Sequence, residues 1–280
     1  MRKIIVIFAA VCAALVLILI AVPSREKIGV IPIEGEILTA EDAVETIREM
    51  AHDDSLKSII LRLNSPGGTV AGSQEILEAV RELAQKKPVV ASMGTVAASG
   101  AYYIACGATK ILAAPGTITG SIGVRMEHVN IGDLLRFAKV HHETLKSGKY
   151  KDIGAFDRPL SVADRAFLQQ LLHDMHDQFI DDVAASRHMD RKEVLTLADG
   201  RIFSGRQALE LKLIDELGGF SQAIRRAAEL GHMTGEPVLI YPKEKGWNWL
   251  GKILGESLNH VENFLNSYGS MRIPLARSEI

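Results

Sequence analysis

The run Met93-Gly94-Thr95-Val96-Ala97-Ala98-Ser99-Gly100-Ala101-Tyr102-Tyr103 crowds small side chains around one serine. That leaves the Ser99 hydroxyl room to meet a substrate and makes it the candidate nucleophile. A serine hydroxyl is weak near neutral pH and needs a base beside it. The G-x-S-x-G elbow of the α/β-hydrolases is absent, because Ser99 stands in Ala97-Ala98-Ser99-Gly100-Ala101. The nine histidines are scattered through the chain, and none stands in a recognisable catalytic setting. A lysine base therefore enters consideration, and the polar, glycine-containing segment 147–159 holds Lys149 and Lys151.

Acyl transfer also needs donors aimed at the developing oxyanion. Gly68, in Asn64-Ser65-Pro66-Gly67-Gly68, is the candidate. It has no side chain to keep a substrate carbonyl away, and it lies at the start of a helical pattern where free N–H groups gather. The Ser99 or Gly100 amide is a possible second donor, and the sequence does not choose between them. The glycine pair is not a nucleotide-binding P-loop, since the lysine of G-x-x-x-x-G-K-[ST] is missing. Ser65 and Ser92 read as turn and strand residues, and Cys106 as a small core residue.

The elements that must position these groups alternate. Strand-like runs at 28–33, 57–63 and 88–92 are separated by amphipathic helical patterns at 40–51 and 74–86. This is the signature of a parallel sheet with crossover helices, which binds ligands at the carboxyl edge of its strands. Further along, 110–114 reads as a strand and 142–146 as another. A long helix is expected from about Ser161 to His188, a turn and helix over 201–217, and a short helix over 220–230. Near the C-terminus Leu250, Ile253, Leu254, Leu258, Val261, Phe264 and Leu265 share one helical face that needs a partner.

With 47% apolar and 24% charged residues in 280, the chain can bury a sizeable core. A formal charge of -2 leaves no basic excess for a nucleic-acid backbone, and no Cys/His cluster has metal-binding spacing. From Ile4 to Val22 the chain carries no charge, and Arg2 and Lys3 precede this run. At ~1.5 Å per residue it nearly matches a ~30 Å hydrocarbon layer. The weak cleavage signal at its end favours an uncleaved anchor over a signal peptide. The division expected is an anchor with its flanks at 1–27, a peptidase domain at 28–235, and a C-terminal strand and amphipathic helix at 236–280.

With Asn64 to Gly68, Met93 to Tyr103 and Thr119-Gly120-Ser121-Ile122-Gly123-Val124 in this order, residues 28–230 resemble the bacterial signal peptide peptidase (protease IV) family in its short single-domain form. The resemblance implies a crotonase-like/Clp-like α/β fold with a parallel sheet and crossover helices, preceded by one transmembrane helix. It implies a membrane-anchored homo-oligomer in the cell membrane, its catalytic domain on the outer side, that cleaves signal peptides or other hydrophobic peptides without metal or cofactor. It further implies that Ser99 is the nucleophile and that Lys151, within Ser147-Gly148-Lys149-Tyr150-Lys151-Asp152, is its base in preference to Lys149 and Lys146. Ser121 would hold that lysine by a hydrogen bond. An exposed lysine is about 99.9% protonated at pH 7, so such a base requires desolvation, for which Tyr150, Ile153 and Phe156 are candidate lining.

Four other readings compete. A Clp-type peptidase needs a histidine near 119–126, where none occurs. A membrane protease directed at stomatin-like proteins would share the chemistry and differ in substrate. A non-catalytic module would bind peptides without turnover. A crotonase-type acyl-CoA enzyme is disfavoured by the anchor and by the serine-lysine pairing.

Overall fold

A computed structural model describes residues 25–242, which divide into two compact units, one formed by residues 25–120 and 202–242 and the other by residues 121–201. The first unit holds an eight-stranded sheet. Its strands are β1 (Lys27–Glu34), β2 (Leu56–Ser65), β3 (Val89–Ala98), β4 (Lys110–Ala113), β5 (Ile118–Gly120), β6 (Ile202–Ser204), β7 (Glu216–Leu217) and β8 (Val238–Ile240). The order is β6-β5-β3-β2-β1-β8, with β4 beside β3 and β7 beside β4. Every pairing is parallel except β5 with β6. The expected parallel α/β sheet is present.

Five helices belong to this unit: α1 (Glu41–His52), α2 (Val70–Lys86), α3 (Gly100–Ala105), α7 (Gly205–Glu210) and α8 (Phe220–Leu230). Because side chains alternate across a strand, β1 and β2 present different residues to each layer. A β-carbon on Gly29 of β1 would stand 2.6 Å from Ile59 Cδ1 of β2 and 3.0 Å from Met50 Sδ of α1, so the glycine lets these three elements close on one another. Ile28, Val30, Ile60 and Val90 form a cluster with Ala223 and Ala227 of α8, whose four-residue spacing puts both alanines on one helix face. Covered on both sides, β2 carries the apolar run Ile59-Ile60-Leu61, as parallel strands do.

Strand β3 positions the site. Its first half, Val90–Ser92, pairs with β4, and its last residues, Val96–Ala98, pair with β5. At the transition Asn64 Oδ1 accepts hydrogen bonds from the Thr95 and Val96 amides at 3.1 and 3.3 Å. The carboxamide thereby occupies donors that the ladder leaves open where the β2–β3 register shifts. The strand runs six residues past its expected end at Ser92 and delivers the chain to Ser99.

The second unit contains α4 (Gly132–Phe137), α5 (Val162–Arg187) and α6 (Arg191–Leu197). Helix α5 opens as the sequence indicates. Ser161 caps it reciprocally with Asp164: the Asp164 amide donates to Ser161 Oγ and the Ser161 amide to Asp164 Oδ2, both at 3.1 Å. The strand expected over 142–146 does not form. That segment is exposed along its length, Leu145 is 90% exposed, and no neighbouring strand offers a ladder. The turn and helix expected over 201–217 are instead β6, α7 and β7.

Among the described residues no helix is long and apolar enough to cross a membrane. The span at 4–22 and the amphipathic helix at 250–265 lie outside the described residues.

Candidate active site

Ser99 sits between β3 and α3, with φ 53° and ψ −121°. An L-residue other than glycine rarely adopts positive φ, and such strain persists only where surrounding contacts hold it. Here they do. The Ser99 amide donates to Gly120 O at 2.8 Å, and Ser99 O accepts from the Tyr103 amide at 2.9 Å. The sharp strand-to-helix turn is the geometry by which a nucleophile elbow exposes its serine at the carboxyl end of a parallel sheet. Ser99 is partly exposed, and no hydrogen bond within this unit engages its hydroxyl.

The Pro66-Gly67-Gly68 turn packs against this elbow. Gly67 has φ +100°, and a β-carbon on it would stand 2.6 Å from the Gly100 nitrogen and 2.9 Å from Ser99 Cβ. Ser65 Oγ accepts from the Gly67 amide at 3.1 Å, which gives that serine the turn role expected of it. On the other side the turn is bound to Ile37: the Ile37 amide donates to Gly67 O at 2.9 Å, and the Thr69 amide donates to Ile37 O at 2.8 Å. Between these two bonds the Gly68 amide has no acceptor among the described residues. It lies 3.2 Å from where a Gly100 β-carbon would be. The Gly100 amide, at the first position of α3, has no acceptor among them either. Two unpaired backbone donors therefore stand beside one strained serine, an arrangement suited to a carbonyl oxygen gaining charge.

In the second unit Lys151 lies on a polar turn, its amide bonded to Gly148 O at 3.1 Å, and its side chain is exposed. Of the apolar residues expected to line it, the two aromatic ones pack on other rings. Tyr150 stacks on Phe167 with ring centroids 4.9 Å apart, and Phe156 lies 5.1 Å from the His142 ring. Lys149 Nζ stands 5.0 Å from the Tyr150 ring centre, and Lys146 Nζ donates to Asp152 Oδ1 at 2.6 Å. Ser121 has φ 53°, and its amide donates to Arg201 O at 2.9 Å. No hydrogen bond joins Ser121 to Lys151 in the single chain. Among the described residues no group of three or more His, Cys, Asp or Glu side chains is placed to hold a metal ion.

Residues 81–234 match the sequence profile of Peptidase family S49, and residues 25–118 match that of Clp protease. A Synechocystis protein named as an inferred protease is 42% identical over 216 residues, which cover 77% of this chain and 78% of that protein. The chain belongs to peptidase family S49. Two further relatives are an Enterococcus faecium protein named as an inferred signal peptide peptidase SppA and Protease 4 of Haemophilus influenzae. The first is 34% identical over 217 residues, 75% of this chain and 62% of the relative. The second is 35% identical over 215 residues, 73% of this chain and 35% of the relative. The chain is thus an SppA-like protease of family S49.

Of the S49 site residues expected from sequence, Gly68 and Ser99 are brought together in the first unit, and Ser121 and Lys151 belong to the second. His128 lies outside any helix or strand, with Nε2 3.3 Å from Arg158 O. Sequence reasoning missed Asn64, although it stands in a quoted motif, because its carboxamide acts on strand residues 31 and 32 positions away. It also missed the carboxylates around the Lys151 turn. Asp164 is buried, and its pKa is pushed down to about 2, first by the hydrogen bond from Arg158 and then by the Ser161 amide. A depressed carboxylate pKa contributes stability that is fully present above the unfolded value of about 3.9 and is lost as pH falls through the folded value. Melting temperatures are therefore expected to fall between about pH 4 and pH 2, and less steeply in Asp164→Asn. Parallel melting curves for the two proteins down to pH 2 would contradict this.

Proposed function

We propose that this chain is a membrane-anchored serine endopeptidase that uses a Ser99–Lys151 dyad to degrade hydrophobic peptides, signal peptides left after processing among them. The observation that carries the reading is the strained Ser99 elbow beside the unpaired Gly68 and Gly100 amides. Neutral Lys151 takes the Ser99 proton as the hydroxyl oxygen attacks the scissile carbonyl. The Gly68 amide, joined by that of Gly100, bonds the tetrahedral oxyanion. Lys151 then gives the proton to the leaving amine and activates the water that releases the acyl group.

A lysine ammonium favours its neutral form only when water is removed from it. The exposure of Lys151 in the single chain therefore calls for a second surface over the turn. A neighbouring copy of the chain, or the apolar peptide itself, supplies it. The span at 4–22 would hold the enzyme in the cell membrane with its peptidase domain on the outer side, where apolar peptides accumulate. The domains proposed remain 1–27 for the anchor, 28–235 for the peptidase and 236–280 for the C-terminal extension.

The test uses the full chain in detergent with two quenched peptides of equal length, one rich in leucine and alanine and one rich in charged residues. The expected result is cleavage of the apolar peptide at least ~10-fold faster in kcat/KM. A protein that binds the apolar peptide but cleaves neither at any pH from 6 to 10 would instead be a peptide-binding module.

A further inference from the structure

The turn that carries Lys151 is irregular and polar, yet one side chain ties it to two other segments. Arg158 Nη2 donates to Asp152 O at 3.2 Å and lies 3.3 Å from Asp152 Oδ2. Its Nη1 donates to Asp164 Oδ2 at 2.7 Å and to Pro159 O at 3.3 Å. Asp164 is the residue that closes the capping box of α5, so one guanidinium joins the residue following Lys151 to the first turn of the longest helix among the described residues. The strip from which Arg158 extends is itself held. The Ile131 amide donates to Phe156 O at 2.7 Å, His142 Nδ1 lies 3.0 Å from Asp157 Oδ2, and His128 Nε2 lies 3.3 Å from Arg158 O.

We infer that Arg158 is a positioning residue for proteolysis, fixing the backbone from which Lys151 projects by clamping Asp152 to Asp164. The inference rests on the assignment of Lys151 as base. Two physical features favour a clamp over an ordinary surface ion pair. The Asp152 and Asp164 side chains are only 12% and 7% exposed, so their charges are poorly compensated by water. The planar guanidinium also presents several donors in fixed directions, which lets it hold two carboxylates and two carbonyls at once. Lys146, the other cation on Asp152, makes a single contact to Oδ1 and reaches no helix. A base displaced by about 1 Å costs on the order of 100-fold in rate even when the displacing change lies away from the chemistry.

Arg158→Ala in the full chain is expected to lower kcat about 10- to 100-fold and to leave KM within about threefold. Amide hydrogen exchange is expected to accelerate at Lys151, Ile153 and Ala155, whose amides close the turn onto Gly148, Tyr150 and Asp152, and to stay unchanged at Phe179 to Val183 within α5. Arg158→Lys, which can hold one carboxylate but not both, should recover part of the lost kcat. Unchanged kcat in Arg158→Ala alongside an inactive Lys151→Ala would overturn the clamp and leave the base assignment standing. An active Lys151→Ala would overturn both. Exchange that accelerates throughout α5, with no recovery in Arg158→Lys, would mark a purely structural residue and also overturn the inference.

Discussion

Ser99→Ala is expected to abolish peptide cleavage, by about 10⁴-fold or more, and to leave the protein folded. The catalytic loss follows from removal of the attacking oxygen, for which no neighbouring group substitutes within the elbow. The folding expectation comes from the same local geometry. Within its unit the Ser99 hydroxyl takes part in no hydrogen bond, so its removal strands no buried partner. The backbone bonds to Gly120 and Tyr103 hold φ at 53° and survive the change. Alanine and serine carry the same β-carbon at that positive φ, so the strain is nearly unchanged. Cleavage rates and melting temperatures on the same preparations check both halves. Residual activity above ~1% of the parent would place the nucleophile elsewhere.

Gly68→Ala is expected to lower kcat about 100- to 1000-fold, the usual cost of losing one oxyanion donor. The new β-carbon would stand 1.9 Å from Ile37 O, 2.5 Å from Ile37 C and 2.7 Å from Ile37 N. All three are backbone atoms, so no side-chain rotation relieves the overlap. The turn must move by an ångström or more, and the Gly68 amide moves with it. The overlap should also destabilise the fold by about 1–3 kcal/mol. A control separates the two effects. Gly116 has open space where its β-carbon would be, and Gly116→Ala should change neither kcat nor the denaturation midpoint. Full activity in a folded Gly68→Ala protein would remove Gly68 from the oxyanion role.

The parts of this architecture that were legible in the sequence carry periodic signals. Strands β1 and β2 announce themselves as runs of branched apolar residues, α8 spans the expected 220–230, and α5 begins beside the expected Ser161. The lone serine among small residues and the glycine pair pointed to the strand-to-helix turn at Ser99 and to the Pro66-Gly67-Gly68 turn packed against it. Strand β3 beyond Ser92 was not legible, because Met93-Gly94-Thr95-Val96-Ala97-Ala98 lacks β-rich alternation and is held by β5 and by the Asn64 carboxamide. The two- and three-residue strands β6 and β7 exist only through their partners. His142 to Lys146 has strand-like residues but no partner, and it stays irregular. The Arg158 clamp was hidden for a related reason: six residues separate it from each carboxylate, and on an irregular loop that spacing implies no common face. The exposure of Lys151 ran against the burial that its proposed role requires, since the aromatic residues near it in sequence pack against Phe167 and His142 instead.

The most direct test of the central claim, that Lys151 activates Ser99, is the rate at which an irreversible fluorophosphonate modifies the full chain, with the adduct mapped by peptide mass. The account predicts one adduct, on the peptide containing Ser99, forming at least ~100-fold more slowly in a folded Lys151→Ala protein, as expected when a general base is removed. Labelling of Ser99 at the parent rate in Lys151→Ala, or an adduct on another residue of the active parent, would contradict it.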